Sequence, residues 1–200
     1  MLKIISSDLV TRLLTRLHTI SLRNMYVTIG HNSRVYIRSR IDCIEGGHIT
    51  IGNSCAIGRA AKWYHAAMPF YTTLLCDGGD NSWIRIGDNC RINGAYIHAK
   101  DFIDIGDNCV MASGITIIDS NAHEVKSRNR TQGRDIPKGI IIGNNVWIGL
   151  NAIILKGSII GDNCVIAAGS VVKGSFPENT IIQGNPAIVS GQVVFDNNNQ

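Results

Sequence analysis

A histidine stands among polar and basic residues in "DSNAHEVKSRNR", positions 119–130, and this is the stretch whose side-chain types can carry proton-transfer chemistry. Imidazole has an ordinary pKa of about 6.5, so His123 can take a proton near neutrality from a hydroxyl whose oxygen is attacking a carbonyl. Asp119 and Glu124 are the nearby carboxylates; either could accept from the other ring nitrogen and hold the reactive tautomer. A loop histidine taken alone reads as well as a solvated surface group, so its surroundings must decide. His31, His48, His65 and His98 are scattered without a metal-ligand spacing, and no metal is expected.

Those surroundings are periodic. From Ile142 the large aliphatic position returns at Ile148, Ile154, Ile160, Ile166 and Val172, five hexads without a slip. Ile51 and Ile57, Ile86 and Ile92, then Ile105, Met111 and Ile117 keep the same step, with a looser start at Ile29. Each unit runs aliphatic, glycine or another small residue, two polar residues, a small residue, then a variable one, as in "IGDNCV" at both 105 and 160. A short strand pointing its aliphatic side chain inward, followed by glycine and asparagine at a tight corner, meets that order. Three strands and three corners make a triangular coil of about 18 residues, and stacked coils bury a continuous aliphatic column. Cys55, Cys90, Cys109 and Cys164 all occupy the fifth, small position and read as reduced core fillers; Cys43 and Cys76 lie outside the register.

Composition agrees with many short strands in one domain: 200 residues, 44% apolar, 17% charged and 21 glycines. The net charge of +4 is modest and dispersed, so no nucleic-acid partner is indicated. "GIIIGNNVWIGLNAIIL", 139–155, carries no charge, but its glycines and asparagines recur in register and argue for buried strands over a membrane helix. No secretory signal precedes the repeats, which points to a cytoplasmic location, with peripheral attachment at the inner membrane as an extension of it.

Three segments break the period. Residues 2–23 place Ile5, Leu9, Leu13, Leu17 and Ile20 on one helical stripe beside Arg12, Arg16 and Arg23. The favoured expectation is a helix that lays this stripe over the open end of the coils; a membrane-surface helix is the alternative. Residues 62–83 gather aromatics without a hexad, and either line an acceptor pocket or pack on the coil wall. The third break, Asp119 to Gly139, holds His123 with Lys126, Arg128, Arg130, Arg134 and Lys138, and a loop of that length in a compact domain tends to be functional. The expected division is therefore 1–24 helical cap, 25–190 coil domain with 119–139 inserted, and 191–200 polar tail.

"IGNNVWIGLNAIILKGSIIGDNCVIAAGSVV" resembles the C-terminal coils of the hexapeptide-repeat acyltransferases, in the branch of galactoside, maltose and polysaccharide O-acetyltransferases. That resemblance implies an all-β fold, a left-handed parallel β-helix, assembled as a homotrimer. It further implies acetyl-CoA as co-substrate and a sugar or polysaccharide acceptor. "NAH" precedes "IGNNVWIG" with His123 nineteen positions before Ile142, matching the branch's loop histidine and its role as general base; Glu124 stands where proline is common. By match to the family motif, Trp147, Gly149 and Leu150 would line the pantetheine arm, and Ala168, Lys173 and Gly174 would lie near its amides and the nucleotide. Asn93 corresponds to an acceptor-positioning residue, or is a corner asparagine. Phosphate contacts would fall to Lys173, Lys156 or the loop arginines, since "VVKGSFP" has glycine where the family often has lysine and the basic residue usual after "NPA" is missing. Transfer to nitrogen of a nucleotide sugar or an antibiotic, and a non-catalytic scaffold, are the competing readings.

Overall fold

The computed structural model describes residues 7–58 and 69–195, with side chains from Leu9 onward. The start of the expected helix with Ile5, residues 62–68 of the aromatic segment with His65, and the end of the polar tail lie outside the described residues.

The period of six becomes a three-sided prism. The first face stacks Val27–Ile29, His48–Ile51, Trp83–Ile86, Phe102–Ile105, Ile140–Ile142, Ile159–Ile160 and Ser175–Phe176. The second stacks Arg34–Val35, Ala56–Ile57, Arg91–Ile92, Val110–Met111, Trp147–Ile148, Val165–Ile166 and Thr180–Gly184. The third stacks Arg40–Cys43, Thr73–Cys76, Tyr96–Ala99, Thr116–Ile118, Ile153–Leu155 and Val171–Val172. All these pairings are parallel, because each strand meets the one a full coil later; only Ala187–Gln192 turns back, antiparallel on Thr180–Gly184. Ile86, Ile105 and Ile142 remain partners in one column although the 119–139 loop intervenes, so the insertion costs no register.

Each hexad position has a job that the structure makes explicit. The aliphatic residue is buried in the shared core. The glycine lets two coils touch: a Cβ on Gly106 would sit 2.8 Å from the Gly143 carbonyl carbon. The third-position carboxylate or amide accepts a backbone N–H from the coil before it, Asp88 from Asn53, Asp107 from Asp88 and Asp162 from Asn144, each at 2.7 Å. Asparagine follows in the left-handed region, with φ of 57° at Asn89, 58° at Asn108 and 60° at Asn163. The fifth residue closes the corner: Cys55, Cys90, Cys109 and Cys164 donate their thiols to carbonyls of the next coil at 3.1–3.2 Å, as the Ser33 hydroxyl does at 2.6 Å. These cysteines are therefore corner donors as well as fillers. All six cysteines are unpaired thiols, and burial pushes that of Cys43 up to about 11.

Two expectations are corrected. Part of the aromatic segment is coil after all: Thr73–Cys76 is a strand of the third face, and Trp83 stacks on Phe102 at 5.0 Å on the first. The N-terminal helix, Ser7–Ser21, does lie against the first coil, but with the opposite side inward. Thr15 and Thr19 are buried there; the Thr19 hydroxyl accepts from the Val35 amide at 2.9 Å and donates to the Thr15 carbonyl at 2.8 Å. Leu9, Leu13, Leu17 and Ile20 face away, each more than half exposed. The end of a parallel sheet presents open backbone donors, which a threonine can satisfy and a leucine cannot.

The fifth-position role separates two substitutions. Cys109→Ser keeps a donor for the Gly143 carbonyl and should change the urea unfolding free energy by less than about 1 kcal/mol, whereas Cys109→Val loses it and overfills the corner at a cost of about 2 kcal/mol.

Candidate active site at the edge loop

The 119–139 loop leaves the prism at its third edge, where the third face turns into the first. Both ends are tied down. Asp119 is fully buried, and its carboxylate accepts the Lys100 amide at 2.8 Å and the Asp101 amide at 2.7 Å. Its carbonyl accepts from the Lys138 amide at 2.9 Å, while the Asp101 carboxylate accepts the Gly139 amide, also at 2.9 Å. Burial raises the Asp119 carboxyl above its usual range against the pull of those amides. Asp119 is thus a root of the loop, and its expected role in orienting His123 is corrected: both oxygens are engaged by the previous coil.

A second carboxylate, without any signal in the repeat, clamps the two legs of the loop together. Asp135 accepts from the Asn121 amide at 2.8 Å and pairs with the Lys156 ammonium at 2.6 Å, which also donates to the Ile136 carbonyl at 3.0 Å. Burial works to raise the Asp135 carboxyl, but Lys156 and Asn121 outweigh it and hold it below the ordinary 3.8. Lys156 is therefore committed to the loop, which corrects its expected place among the phosphate contacts.

Between these ties the chain makes a tight reversal at Ala122, with φ of +62°, and His123 follows with its own amide on the Asn121 carbonyl at 2.7 Å. The His123 Nδ1 lies 2.7 Å from the Arg130 carbonyl. A carbonyl only accepts, so Nδ1 carries the proton and Nε2 presents its lone pair outward from an exposed ring. The tautomer holder is a backbone oxygen, not Glu124. Sequence reasoning had no means to find it, because a carbonyl carries no residue identity.

The other expected site residues divide between two edges. Lys173 and Gly174 lie on the third edge, two coils beyond the loop, with Gly174 at φ +119°. Asn93, Gly149, Leu150 and Ala168 lie on the second edge, and Trp147 leads into it along the second face, more than half exposed. Asn93, Gly149 and their neighbours form one column of coil-to-coil amide bonds, Asn93 to the Met111 carbonyl and Gly149 to that of Ile166. Gly149 is buried and a Cβ on it would meet the Ala168 nitrogen at 2.6 Å, so its glycine serves close coil packing. Leu150 and Ala168 remain exposed there.

One polar group on the third edge went unremarked in the sequence. His98 Nε2 meets Asp77 at 2.7 Å, Lys100 reaches the same carboxylate at 3.1 Å, and the Tyr96 hydroxyl lies 3.4 Å from His98 Nδ1. Burial works to raise the Asp77 carboxyl, and the hydrogen bonds from His98 and Lys100 outweigh that to leave it lowered. Residues two apart on one strand share a face, and that alternation was the available clue.

The comparisons agree with this architecture. Residues 139–174 match the family described as bacterial transferase hexapeptide, six repeats, and residues 83–118 match the hexapeptide repeat of succinyl-transferase. Both matched stretches carry the hexapeptide repeat, and the chain is similar to that transferase family. Its three-sided coil is that family's left-handed parallel β-helix. Among relatives, a putative lipopolysaccharide biosynthesis O-acetyl transferase of Escherichia coli is 37% identical over 57% of this chain and 63% of its own length. The Escherichia coli galactoside O-acetyltransferase is 35% identical over 58% of this chain and 63% of its own. The hexapeptide-repeat chain thus spans a little under two thirds of the curated relatives it matches. In solved structures, the N-acyltransferase AntD from Bacillus cereus, determined with dTDP and 3-hydroxybutyryl-CoA, shares the fold at 18% identity, with a TM-score of 0.66 over 90% of this chain and 87% of that one.

Loosening the clamp should free the loop without unfolding the coils. Asp135→Asn is expected to speed tryptic cleavage within 119–139 about ten-fold, the scale of one lost charged hydrogen bond, with the global unfolding transition unchanged. Because the folded carboxyl titrates below 3.8, the clamp is complete above that pH and is lost only as pH falls through the lower folded value; parent cleavage rates, corrected for the protease, should stay flat across the neutral range.

Proposed function

We propose that this hexapeptide-repeat protein moves an acetyl group from acetyl-CoA to a sugar hydroxyl, with His123 as general base. The observation that carries this reading is the His123 Nδ1 contact with the Arg130 carbonyl at 2.7 Å, which leaves Nε2 as the acceptor on a loop clamped at both roots. Its relatives' names as O-acetyltransferases support the reaction class. In the step, Nε2 takes the acceptor proton as its oxygen bonds to the thioester carbonyl carbon. The C–S bond then breaks, and the imidazolium returns the proton to the leaving thiolate.

The division of residues between two edges supports a groove completed by a second copy in a trimer. One copy would supply His123, Lys173 and Gly174 from its third edge. Its neighbour would supply Trp147, Leu150, Ala168 and Asn93 from its second edge, with Trp147 and Leu150 offering apolar surface to a pantetheine arm. Lys173 and the loop's Arg128, Arg130 and Arg134 provide the cations for anionic oxygens of the nucleotide or of an acidic sugar.

His123→Ala should leave the circular dichroism and assembly unchanged while lowering CoA release, with a responsive sugar acceptor, by about a thousand-fold. Full turnover in that variant sinks the mechanism. Co-assembling His123→Ala chains with Leu150→Glu chains tests the groove: a site between copies regains activity in mixed trimers, and a site within one copy does not.

A further inference from the structure

The outward face of the N-terminal helix and the groove beneath its flank have no part in the proposed reaction. Leu13, Leu17 and Ile20 are 57%, 55% and 52% exposed, with Val10 and Leu14 beside them. At 100° per residue Arg12 and Arg16 lie along one border of that apolar face, between it and the buried threonines, and Arg23 follows just past the helix end with its guanidinium donating to the Ile29 carbonyl at 2.8 Å. Under the row lies a groove of about 1090 Å³ between the helix and the first coil. Arg12, Arg16, Arg23, Arg34 and His31 line it, and among the described residues no acidic one does. Thr15 also lines it, with its hydroxyl buried and lacking a hydrogen-bond partner among the described residues.

We propose that this end of the prism docks on an anionic lipid surface, the apolar helix face entering the interface and the arginine-lined groove taking lipid phosphates. Three observations select that occupant. The helix buries polar threonines against its own protein and turns leucines outward, so the usual globular arrangement is inverted and the apolar surface is left facing a medium that can receive it. The cations sit at the border of that surface, level with where headgroups begin once leucines enter the acyl boundary. A second copy pressed on the same face would set one arginine row against another, whereas anionic headgroups neutralise it. The helix lies on the membrane without crossing it: among the described residues no helix is long and apolar enough to span one. Peripheral attachment, secondary on the sequence alone, is what this geometry favours.

The test is cosedimentation of the full-length protein with vesicles of phosphatidylglycerol and phosphatidylcholine in equal parts, and of phosphatidylcholine alone. Binding to the mixed vesicles only, weakening as salt rises, is expected. Arg12→Gln with Arg16→Gln should weaken partitioning about thirty-fold, the effect of two basic residues removed from an anionic surface. Leu13→Gln with Leu17→Gln, both at exposed positions, should abolish it with circular dichroism unchanged. Equal binding by parent and both variants overturns the proposal. So does saturable binding of inorganic phosphate without vesicle binding, or a change of oligomeric mass in the leucine variant when the parent ignores vesicles. CoA release in free solution should be the same in all three proteins, so loss of docking and failure of the acetyl-transfer reading are separable.

Discussion

Everything in this molecule depends on coils meeting in fixed register, and that register is held by short polar side chains at the corners. An aliphatic column alone would tolerate sliding, since isoleucine packs on isoleucine at many offsets. Asp88, Asp107 and Asp162 remove that freedom by each accepting one particular backbone amide of the coil before. The thiols of Cys55, Cys90, Cys109 and Cys164 do the same from inside, each on one carbonyl of the coil after. A chain so pinned can admit a 21-residue excursion and resume on the partner it left, as Ile105 and Ile142 show.

The same economy governs the loop. Its histidine is held by main-chain oxygen, and its carboxylates do structural work: Asp119 ties the exit to the previous coil, Asp101 ties the return, and Asp135 joins the legs through Lys156. A protruding loop holds a side chain in place only if its supports are local. The cost falls on cations: the Lys156 ammonium is engaged by Asp135 and the Ile136 carbonyl.

The prism also separates functions in space. Trp147 and Leu150 are exposed at the second edge, the basic loop and Lys173 lie on the third, and the arginine groove lies at the N-terminal end. A three-sided rod has no concave surface of its own, so a cleft requires either a loop or a second copy.

The coil is legible from sequence because its period is local: hexads, corner asparagines and fifth-position small residues each state a backbone requirement within six residues. The loop that carries His123 was legible for a related reason, since it breaks that period. Tertiary structure alone decided the partners. Asp119 turned inward because its oxygens meet two amides nineteen and eighteen residues away, and Arg130 entered the site through a carbonyl that residue type does not encode. The helix stripe was visible as a pattern, but which side faced the coils depended on an open strand donor, the Val35 amide, that a hydroxyl satisfies and a leucine does not. Amphipathicity names two faces; the hydrogen-bonding needs of the neighbouring surface choose between them.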